Sequence, residues 1–148
     1  MISAQDLIEK ILSRANCDEC IVLVKDTTQA NLRWASSTLT TNGVIALRSV
    51  TVLAFVAMNG SMAVGGVTRT SVDESDSILS EAIAAAKASG AADDYAPLAK
   101  DLTIGDWGAA HRPTGPDVFS KFAPELGEMM KKSVADKIDL FGYAEHTL

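Results

Sequence analysis

The sequence predicts an α+β fold, in which an antiparallel β-meander forms a sheet and helices pack on it. Residues 29–70 are rich in Val, Ile, Leu, Thr and Phe, the residue types that suit a pleated surface. Two pairs, Asn42-Gly43 and Asn59-Gly60, punctuate this stretch, and Asn-Gly is typical of the type I′ turns that join antiparallel strands. Segments with apolar residues at helical spacing lie on either side of it.

Four strands are predicted in the meander, at residues 30–34, 38–41, 44–58 and 62–70. The third is long for a single strand, so we expect it to bend or bulge near residues 48–51. A short buried strand is predicted before the meander, at residues 20–24, and a turn at residues 26–29. Polar residues and glycines interrupt the uncharged run between Arg48 and Arg69, which argues against a membrane span.

Three helices are predicted around the sheet. The first begins at Ser3, because a serine followed by an acidic residue three positions later (Asp6) resembles a capping box, and Asn16 is its expected end. The second has the same pattern in residues 71–74, and Gly90 stands where a C-terminal glycine belongs. Pro116 or Pro124 begins the third.

The remaining segments are an irregular loop and a final strand. Residues 91–117 contain prolines and glycines without periodicity, and long loops of this kind usually have a function or are partly disordered. Residues 137–148 are rich in strand formers and end without a stop signal. We therefore expect a fragment whose last strand continues beyond Leu148.

Composition narrows the class of protein. A chain of 148 residues with 47% hydrophobic residues is long and apolar enough for one folded domain, residues 1–148. Its net charge of −6 argues against direct binding of nucleic acid, which requires a basic face. The first residues lack the basic and apolar regions of a secretory signal, so we expect a cytoplasmic protein with no membrane partner.

Cys17 and Cys20 form a Cys-x-x-Cys motif, for which a redox pair and half of a zinc site are the alternatives. The motif precedes a predicted strand, whereas a redox pair normally begins a helix. Asp18 and Glu19 would raise the pKa values of the thiols. We therefore expect reduced thiols, one in a loop and one in a strand, without a metal.

Other polar residues have structural interpretations beside the chemical ones. The acidic cluster Asp73, Glu74 and Asp76 complements the dipole of a helix start, with a weak divalent cation site as the alternative. His111 beside Arg112 could bind an anion or lie in solvent. In the same loop, Trp107 is expected to anchor the segment on the body of the protein. Catalytic residues and metal ligands are assigned to none of these positions.

Several runs resemble one known family. These are Asn31-Leu32-Arg33-Trp34-Ala35-Ser36-Ser37 with the following Thr40-Thr41-Asn42-Gly43, the strand Val64-Gly65-Gly66-Val67 before an alanine-rich helix, and the closing Phe141-Gly142-Tyr143-Ala144-Glu145-His146. Over residues 3–90 and 117–148 the chain resembles the N-terminal domain of the TldD/PmbA proteins, also called modulators of DNA gyrase.

The resemblance implies zinc metallopeptidases that act on unfolded or small peptides and are built from two subunits. The family's zinc motif, His-Glu followed by a second His one helical turn later, lies in its C-terminal domain. This sequence contains no such motif, because Glu145-His146 has the reverse order and lacks the second His. Zinc is therefore implied for a downstream domain, and no cofactor is expected in this chain.

These observations predict a non-catalytic N-terminal domain that shapes subunit assembly and access to the downstream zinc site. Its expected partner is a related subunit in a homo- or hetero-oligomer. A self-sufficient small-molecule or protein-interaction module is the alternative, and an enzyme that uses the cysteine pair ranks third. A longer reading frame continuing past Leu148 would separate the first from the second.

Arg33, Ser36 and Asn42 are the predicted binding residues, because a peptide substrate would need exposed polar contacts. Alternation along a strand puts Leu32 and Trp34 on one face, which we expect to pack inward. Arg33 then lies outside among polar neighbours such as Ser36 and Asn42. A surface salt bridge is the alternative interpretation of Arg33.

Overall fold

The computed structural model describes residues 2–70, 75–110 and 112–148, apart from the side chains of Ser75 and Asp76. In chain order its elements are α1 (Ala4–Leu12), β1 (Glu19–Ala35), β2 (Thr38–Met58), β3 (Ser61–Thr70), α2 (Ser75–Ser89), a 3₁₀ helix (Pro116–Phe119), α3 (Phe122–Ala135) and β4 (Gly142–Thr147). No helix in these ranges is long and apolar enough to cross a membrane.

The strands form one antiparallel sheet in the order β3-β2-β1-β4, which confirms the predicted α+β fold with helices on the sheet. Asn59 and Gly60 connect β2 to β3 with φ angles of 52° and 80°. Positive φ at both central residues is the geometry of a type I′ turn, so the turn predicted here is confirmed.

The turn predicted at Asn42-Gly43 is wrong, because both residues lie inside β2. The chain turns instead at Ser36 and Ser37, whose φ angles are 46° and 56°. Ser37 is held by the backbone of Leu140. The N–H of Ser37 donates to the carbonyl of Leu140 at 3.0 Å, and the N–H of Leu140 donates to the hydroxyl of Ser37 at 3.1 Å. These tertiary bonds outweigh the local preference of Asn-Gly, which permits positive φ without enforcing it.

β2 contains one extra residue between Thr38 and Gly43. The two-residue turn sets Ala35 opposite Thr38, and this register would set Asn31 opposite Asn42. Instead, a Cβ at Gly43 would lie 3.5 Å from Oδ1 of Asn31, so Gly43 shares a face with Asn31. The difference of one residue is a β-bulge. The bulge expected at residues 48–51 does not occur on the β3 side, where pairing is unbroken from Ser49↔Thr70 to Met58↔Ser61.

The turn predicted at residues 26–29 is also wrong, because β1 runs through it without interruption. Thr28 explains the continuity: its N–H donates to the carbonyl of Leu148 at 2.9 Å, and its carbonyl accepts from the N–H of Leu148 at 3.0 Å. A residue that gains two backbone hydrogen bonds from a neighbouring segment stays extended.

The chain divides into two compact units, and the first comprises Met1–Lys25 and Arg48–Ala109. The side chain of Ser3 caps α1 by accepting from the N–H of Asp6 at 3.0 Å, as predicted, although the helix ends at Leu12 rather than near Asn16. Apolar residues of α1, β2 and α2 form the core, namely Leu7, Ile11, Val50, Val52, Ala54, Ile78, Leu79, Ala82 and Ile83.

The contact between α2 and β3 depends on Gly65. A Cβ at this position would lie 2.5 Å from the carbonyl oxygen of Ala82 and would overlap the backbone nitrogen of Ala86. The alanines of α2 and this glycine therefore let the helix backbone lie directly on the strand. The capping box predicted before α2, at residues 71–74, lies outside the described residues.

The second unit comprises Asp26–Leu47 and Ala110–Leu148. Ala30 and Leu32 of β1 pack with Phe119 of the 3₁₀ helix and with Ala144 of β4. Trp34 packs its ring against that of Phe122, with 6.1 Å between the centroids. Both candidate prolines lie at helix starts, since Pro116 begins the 3₁₀ helix and Pro124 lies in the first turn of α3.

Candidate functional site

Six polar side chains share one face of the β1–β4 pair in the second unit. Antiparallel pairing sets Arg33 opposite Tyr143, Asn31 opposite Glu145 and Gln29 opposite Thr147. Residues directly opposite each other share a face of the sheet, and alternation gives the other face to the core residues. We call this surface, formed by Gln29, Asn31, Arg33, Tyr143, Glu145 and Thr147, the polar β1–β4 face.

Glu145 is the centre of hydrogen bonding on this face. Its carboxylate accepts from the hydroxyl of Tyr143 at 2.6 Å and from the hydroxyl of Thr147 at 3.1 Å. Side-chain hydrogen bonds hold the pKa of Glu145 below its usual value. The bond from Tyr143 has the largest effect, followed by those from Gln29 and Thr147. The hydrogen bond to Glu145 raises the pKa of Tyr143, and the charge of Arg33 opposes that increase.

The arrangement therefore carries one fixed negative charge beside one cation, on an exposed strand surface. Arg33, Tyr143 and Glu145 are all exposed. Such a surface can recognise the polar backbone and the charged termini of an extended peptide. Sequence reasoning missed Tyr143 and Glu145, because only the β1–β4 register brings them to Arg33. The local sequence signal that points to them is the alternate spacing of Tyr143, Glu145 and Thr147, which puts all three on one face of a strand.

Of the predicted binding residues, Arg33 has the expected orientation. Leu32 is buried, Trp34 is half-buried and Arg33 is exposed, so the inward face is the predicted one. Ser36 is exposed in the turn, and Asn42 is exposed in β2 beside the bulge. No hydrogen bond in the described part of the chain joins these three side chains, so their common role in binding stays a prediction.

A second polar cluster, also missed from the sequence, joins β1, the end of the long loop and β4. Thr28 accepts a hydrogen bond from the N–H of Thr114 at 2.9 Å. The hydroxyl of Thr114 and Nδ1 of His146 are 2.7 Å apart and share a hydrogen bond. Thr28 and Thr114 are buried, so this hydroxyl–imidazole pair fixes the end of the loop against the sheet of the second unit. The residues are too far apart in the sequence for a spacing pattern to indicate the cluster.

The cysteine motif has the predicted setting between α1 and β1. Cys17 lies in the connecting loop and donates to the carbonyl of Glu19 at 3.3 Å, while Cys20 lies in β1. Both pack partly buried against the core of the first unit. Burial, followed by the charge and hydrogen bond of Cys17, raises the pKa of Cys20 to about 11. The direction is the expected one, but burial and the neighbouring thiol cause it rather than the two carboxylates.

Zinc ligands of the implied kind do not converge in the part of the chain that the structure describes. There, no group of three or more His, Cys, Asp or Glu residues could hold a metal ion. Nδ1 of His146 is engaged by Thr114, and the raised pKa of Cys20 disfavours the thiolate that zinc binds. The zinc implied by the family resemblance therefore does not fit the described residues, and no chemical step is assigned to it.

Two candidate sites fall wholly or partly outside the described residues. Asp73, Glu74 and the side chain of Asp76 are among those not described, so the cation alternative stays untested, and so does His111 beside the exposed Arg112. Residues 91–110 and 112–115 contain no regular element, apart from a bridge at Ala91, as predicted for this loop. Trp107 is 57% exposed, so its predicted anchoring role is wrong.

Tyr95 anchors the loop in place of Trp107. Its ring packs edge-on against Phe55 with 6.5 Å between centroids, and its hydroxyl donates to Glu19 at 3.1 Å. The loop end nearest α2 is held by Ala92, whose N–H donates to Met62 at 2.8 Å. An aromatic ring with a polar tip suits a position between core and solvent.

The sequence matches no protein-family model and no curated protein. Among solved structures, the fold is similar to that of TldE from Thermococcus kodakarensis, with a TM-score of 0.57 and 10% sequence identity over 97% of this chain. The chain spans 36% of the length of that structure. The similarity shows a fold of the TldD/TldE/PmbA type, and at this identity it shows the fold alone.

Proposed function

We propose that this chain is a non-catalytic domain of a TldD/TldE-like protein, where it shapes subunit assembly and access to a zinc site on another domain. The observation that carries the proposal is the fold similarity to TldE, which covers 97% of this chain but 36% of the TldE chain. A chain with the fold of about a third of a larger protein is expected to serve as one of its domains. The inference that the whole protein has a zinc site and peptidase activity rests on the family resemblance.

The internal bonding of the polar clusters supports a structural role. Ser37 and Ser133 share a buried hydrogen bond of 2.7 Å, and Thr114 binds both Thr28 and His146. Among the described residues, no buried side-chain nitrogen or oxygen lacks a hydrogen-bond partner. Groups that satisfy one another stabilise the fold and fix its loops.

The polar β1–β4 face is the best candidate for guiding a peptide towards the downstream site. Arg33 and Glu145 offer charges of both signs on an extended edge region, and β4 is an edge strand of the sheet. An unstructured peptide presents backbone groups and termini that these charges suit. Replacing Arg33 with Ala is expected to weaken binding of such a peptide by the intact protein, whereas Lys25→Ala, an exposed cation in the first unit, should not.

Unchanged peptide affinity in Arg33→Ala would refute this contact. The peptide is an unstructured fluorescent decapeptide, and the readout is fluorescence anisotropy. A loss of affinity that Arg33→Lys restores would show that the charge, rather than local packing, is what matters.

The proposed function as a whole is tested by a peptidase assay. The 148-residue chain is incubated with an unstructured peptide and zinc, with and without a chelator, beside a longer polypeptide that carries the following domain. We expect chelator-sensitive cleavage by the longer polypeptide, alone or with a related subunit, and none by this chain. Chelator-sensitive cleavage by the 148-residue chain would overturn the proposal, because a hydrolytic zinc needs a set of ligands and a base.

A self-sufficient interaction module is the second candidate, favoured by the exposed and uncharged stretch of β2 at residues 38–47. A reading frame that continues past Leu148 into a second domain would favour the first candidate. A folded, partner-binding protein of this length, expressed as such in the cell, would favour the second.

A further inference from the structure

One stretch of the sheet, residues 38–47 of β2, lacks the features that normally prevent an exposed strand from pairing with another chain. It contains no charged residue and no proline, and nine of its ten residues are exposed. Its exposed apolar residues include Val44 and Ile45, neighbours that point to opposite faces of the strand. β3 pairs with β2 only from Ser49 onward, so among the described residues no strand lies along the outer edge of this stretch.

The other two edges of the sheet are better protected. β3 is bridged at Ala63 by Ala91, and the carbonyl of Met62 accepts a hydrogen bond from the N–H of Ala92 at 2.8 Å. β4 carries Glu145 and His146 within six residues. Charges on an edge strand and cover by another element are the usual means of preventing unwanted strand pairing. The bulge before Gly43 disrupts the first part of the β2 stretch, which leaves residues 43–47 as its regular part, and no described strand pairs with their outer edge.

We propose that residues 43–47 pair antiparallel with the same segment of a second copy of this chain, about a two-fold axis at Ile45. This inference rests on the assembly role proposed above and names its surface. Pairing centred on Ile45 sets Leu47 opposite Gly43 of the other copy and Val44 opposite Ala46. In these pairs a large side chain meets a small one, which favours close packing, and the two Ile45 side chains meet on the axis. Glycine in a strand interior is typical of positions where another backbone approaches closely.

The charge of the chain favours this segment over the remaining surface as the contact between copies. Each copy carries a net charge of −6, so two copies repel each other wherever their acidic surfaces meet. Residues 38–47 are uncharged, and a two-fold contact there brings no like charges together. Because a two-fold axis repeats every contact, one self-complementary segment is enough to form a closed dimer.

Five residue pairs form about five backbone hydrogen bonds, since an antiparallel ladder averages about one per pair. Together with the apolar contacts this makes a small interface, so we expect a dimer that dissociates on dilution. β-Strand addition supplies affinity from the backbone and specificity from the alternating side chains.

Cross-linking from single cysteines tests the register. In a Cys17→Ser/Cys20→Ser background, Ile45→Cys places the two thiols beside each other on the axis. Leu47→Cys separates them by about 13 Å along the strand, because each residue adds about 3.3 Å. With a bis-maleimide of about 8 Å span, we expect at least fivefold more cross-linked dimer from Ile45→Cys than from Leu47→Cys. Tyr143→Cys, exposed on β4, reports pairing of the other edge.

Disruption by charge provides the second measurement. Leu47→Lys should raise the dimer dissociation constant at least tenfold, because it sets two lysines at the contact. Leu23→Lys is the matched control, since Leu23 is a β1 residue with 56% exposure against 59% for Leu47. Far-UV circular dichroism is used to check that both variants are folded.

The outcomes separate the surface from the assembly role. A dimer that persists in Leu47→Lys, or that cross-links through Tyr143→Cys, would refute the pairing of residues 43–47. The assembly role proposed above would still stand. A chain that stays monomeric at all concentrations, alone and with a related subunit, would overturn both. If an unstructured peptide binds the monomer and Leu47→Lys abolishes that binding, the occupant is a peptide and the second-copy inference is wrong.

Discussion

Replacing Gly65 with Ala tests the packing of α2 on β3 more sharply than any other single change. The added Cβ would lie 2.5 Å from the carbonyl oxygen of Ala82, whereas ordinary contacts begin at about 3.4 Å. The helix must therefore move by at least about 0.9 Å, the difference between the two distances, and further to clear the backbone nitrogen of Ala86. Ala82 and Ala86 contact the new atom through their backbones, so no side-chain rotation relieves the overlap.

The expected cost follows from two opposing terms. Overpacking of a well-packed core costs about 1–3 kcal/mol, and a backbone clash belongs at the upper end. Replacing Gly with Ala also stabilises by about 0.4–1 kcal/mol through the unfolded chain. We therefore expect Gly65→Ala to lower the free energy of unfolding by about 2 kcal/mol and Tm by roughly 4–8 °C.

Gly66→Ala is the matched control, because it is the next residue of the same strand. The nearest atom to its added Cβ is Cδ2 of Leu53 at 2.8 Å, the end of a flexible side chain that can rotate away. We expect a change within about 0.5 kcal/mol of the native protein. Urea unfolding followed by far-UV circular dichroism measures both variants. Equal stability of Gly65→Ala and Gly66→Ala would refute the close helix–strand contact.

Two further predictions concern a buried hydroxyl and a partly buried thiol. Ser37→Ala should lower the free energy of unfolding by about 1–3 kcal/mol, because the N–H of Leu140 loses the hydroxyl it donates to and the hydroxyl of Ser133 keeps only its bond to Met130. Ser36→Ala, exposed and with a similar positive φ, is the control for that urea titration, and equal losses would contradict the role of the hydroxyl. The pKa of Cys20 is raised from 9.0 to about 11, so its contribution to stability is fully present below pH 9 and is lost as pH rises to 11. The rate at which Cys20 is alkylated in the folded protein, followed against pH, should therefore have its midpoint above pH 9. The midpoint should be lower in Cys17→Ser than in the native protein, because the substitution removes the neighbouring thiol. Equal midpoints would exclude the influence of Cys17.

The sequence predicts those features that depend on neighbours along the chain. Ser3 and Asp6 form the helix cap that their spacing indicates, and Asn59-Gly60 forms the expected turn. Asn42-Gly43 carries the same local signal but lies in a strand, because hydrogen bonds from the distant Leu140 fix the turn at Ser37. The free energy of a local turn preference is smaller than that of the hydrogen bonds that tertiary structure supplies.

The candidate site shows the same division. The inward face of Leu32 and the exposure of Arg33 follow from alternation along one strand. The partners Tyr143 and Glu145 depend on a register between strands that are more than a hundred residues apart, which no local pattern specifies. The Thr28–Thr114–His146 cluster requires the fold as well, since its members come from two strands and a loop.

Assembly is the central claim, and the native mass of the protein in solution tests it most directly. One chain has a mass of 15.6 kDa, so a dimer has twice that mass, 31.2 kDa. Light scattering after size-exclusion chromatography, over a hundredfold range of loading concentration, should show the mass rising from the monomer towards the dimer value. Leu47→Lys should hold it near 15.6 kDa throughout, while Leu23→Lys should follow the native protein. A constant 15.6 kDa for the native protein, with and without a related subunit, would contradict the account.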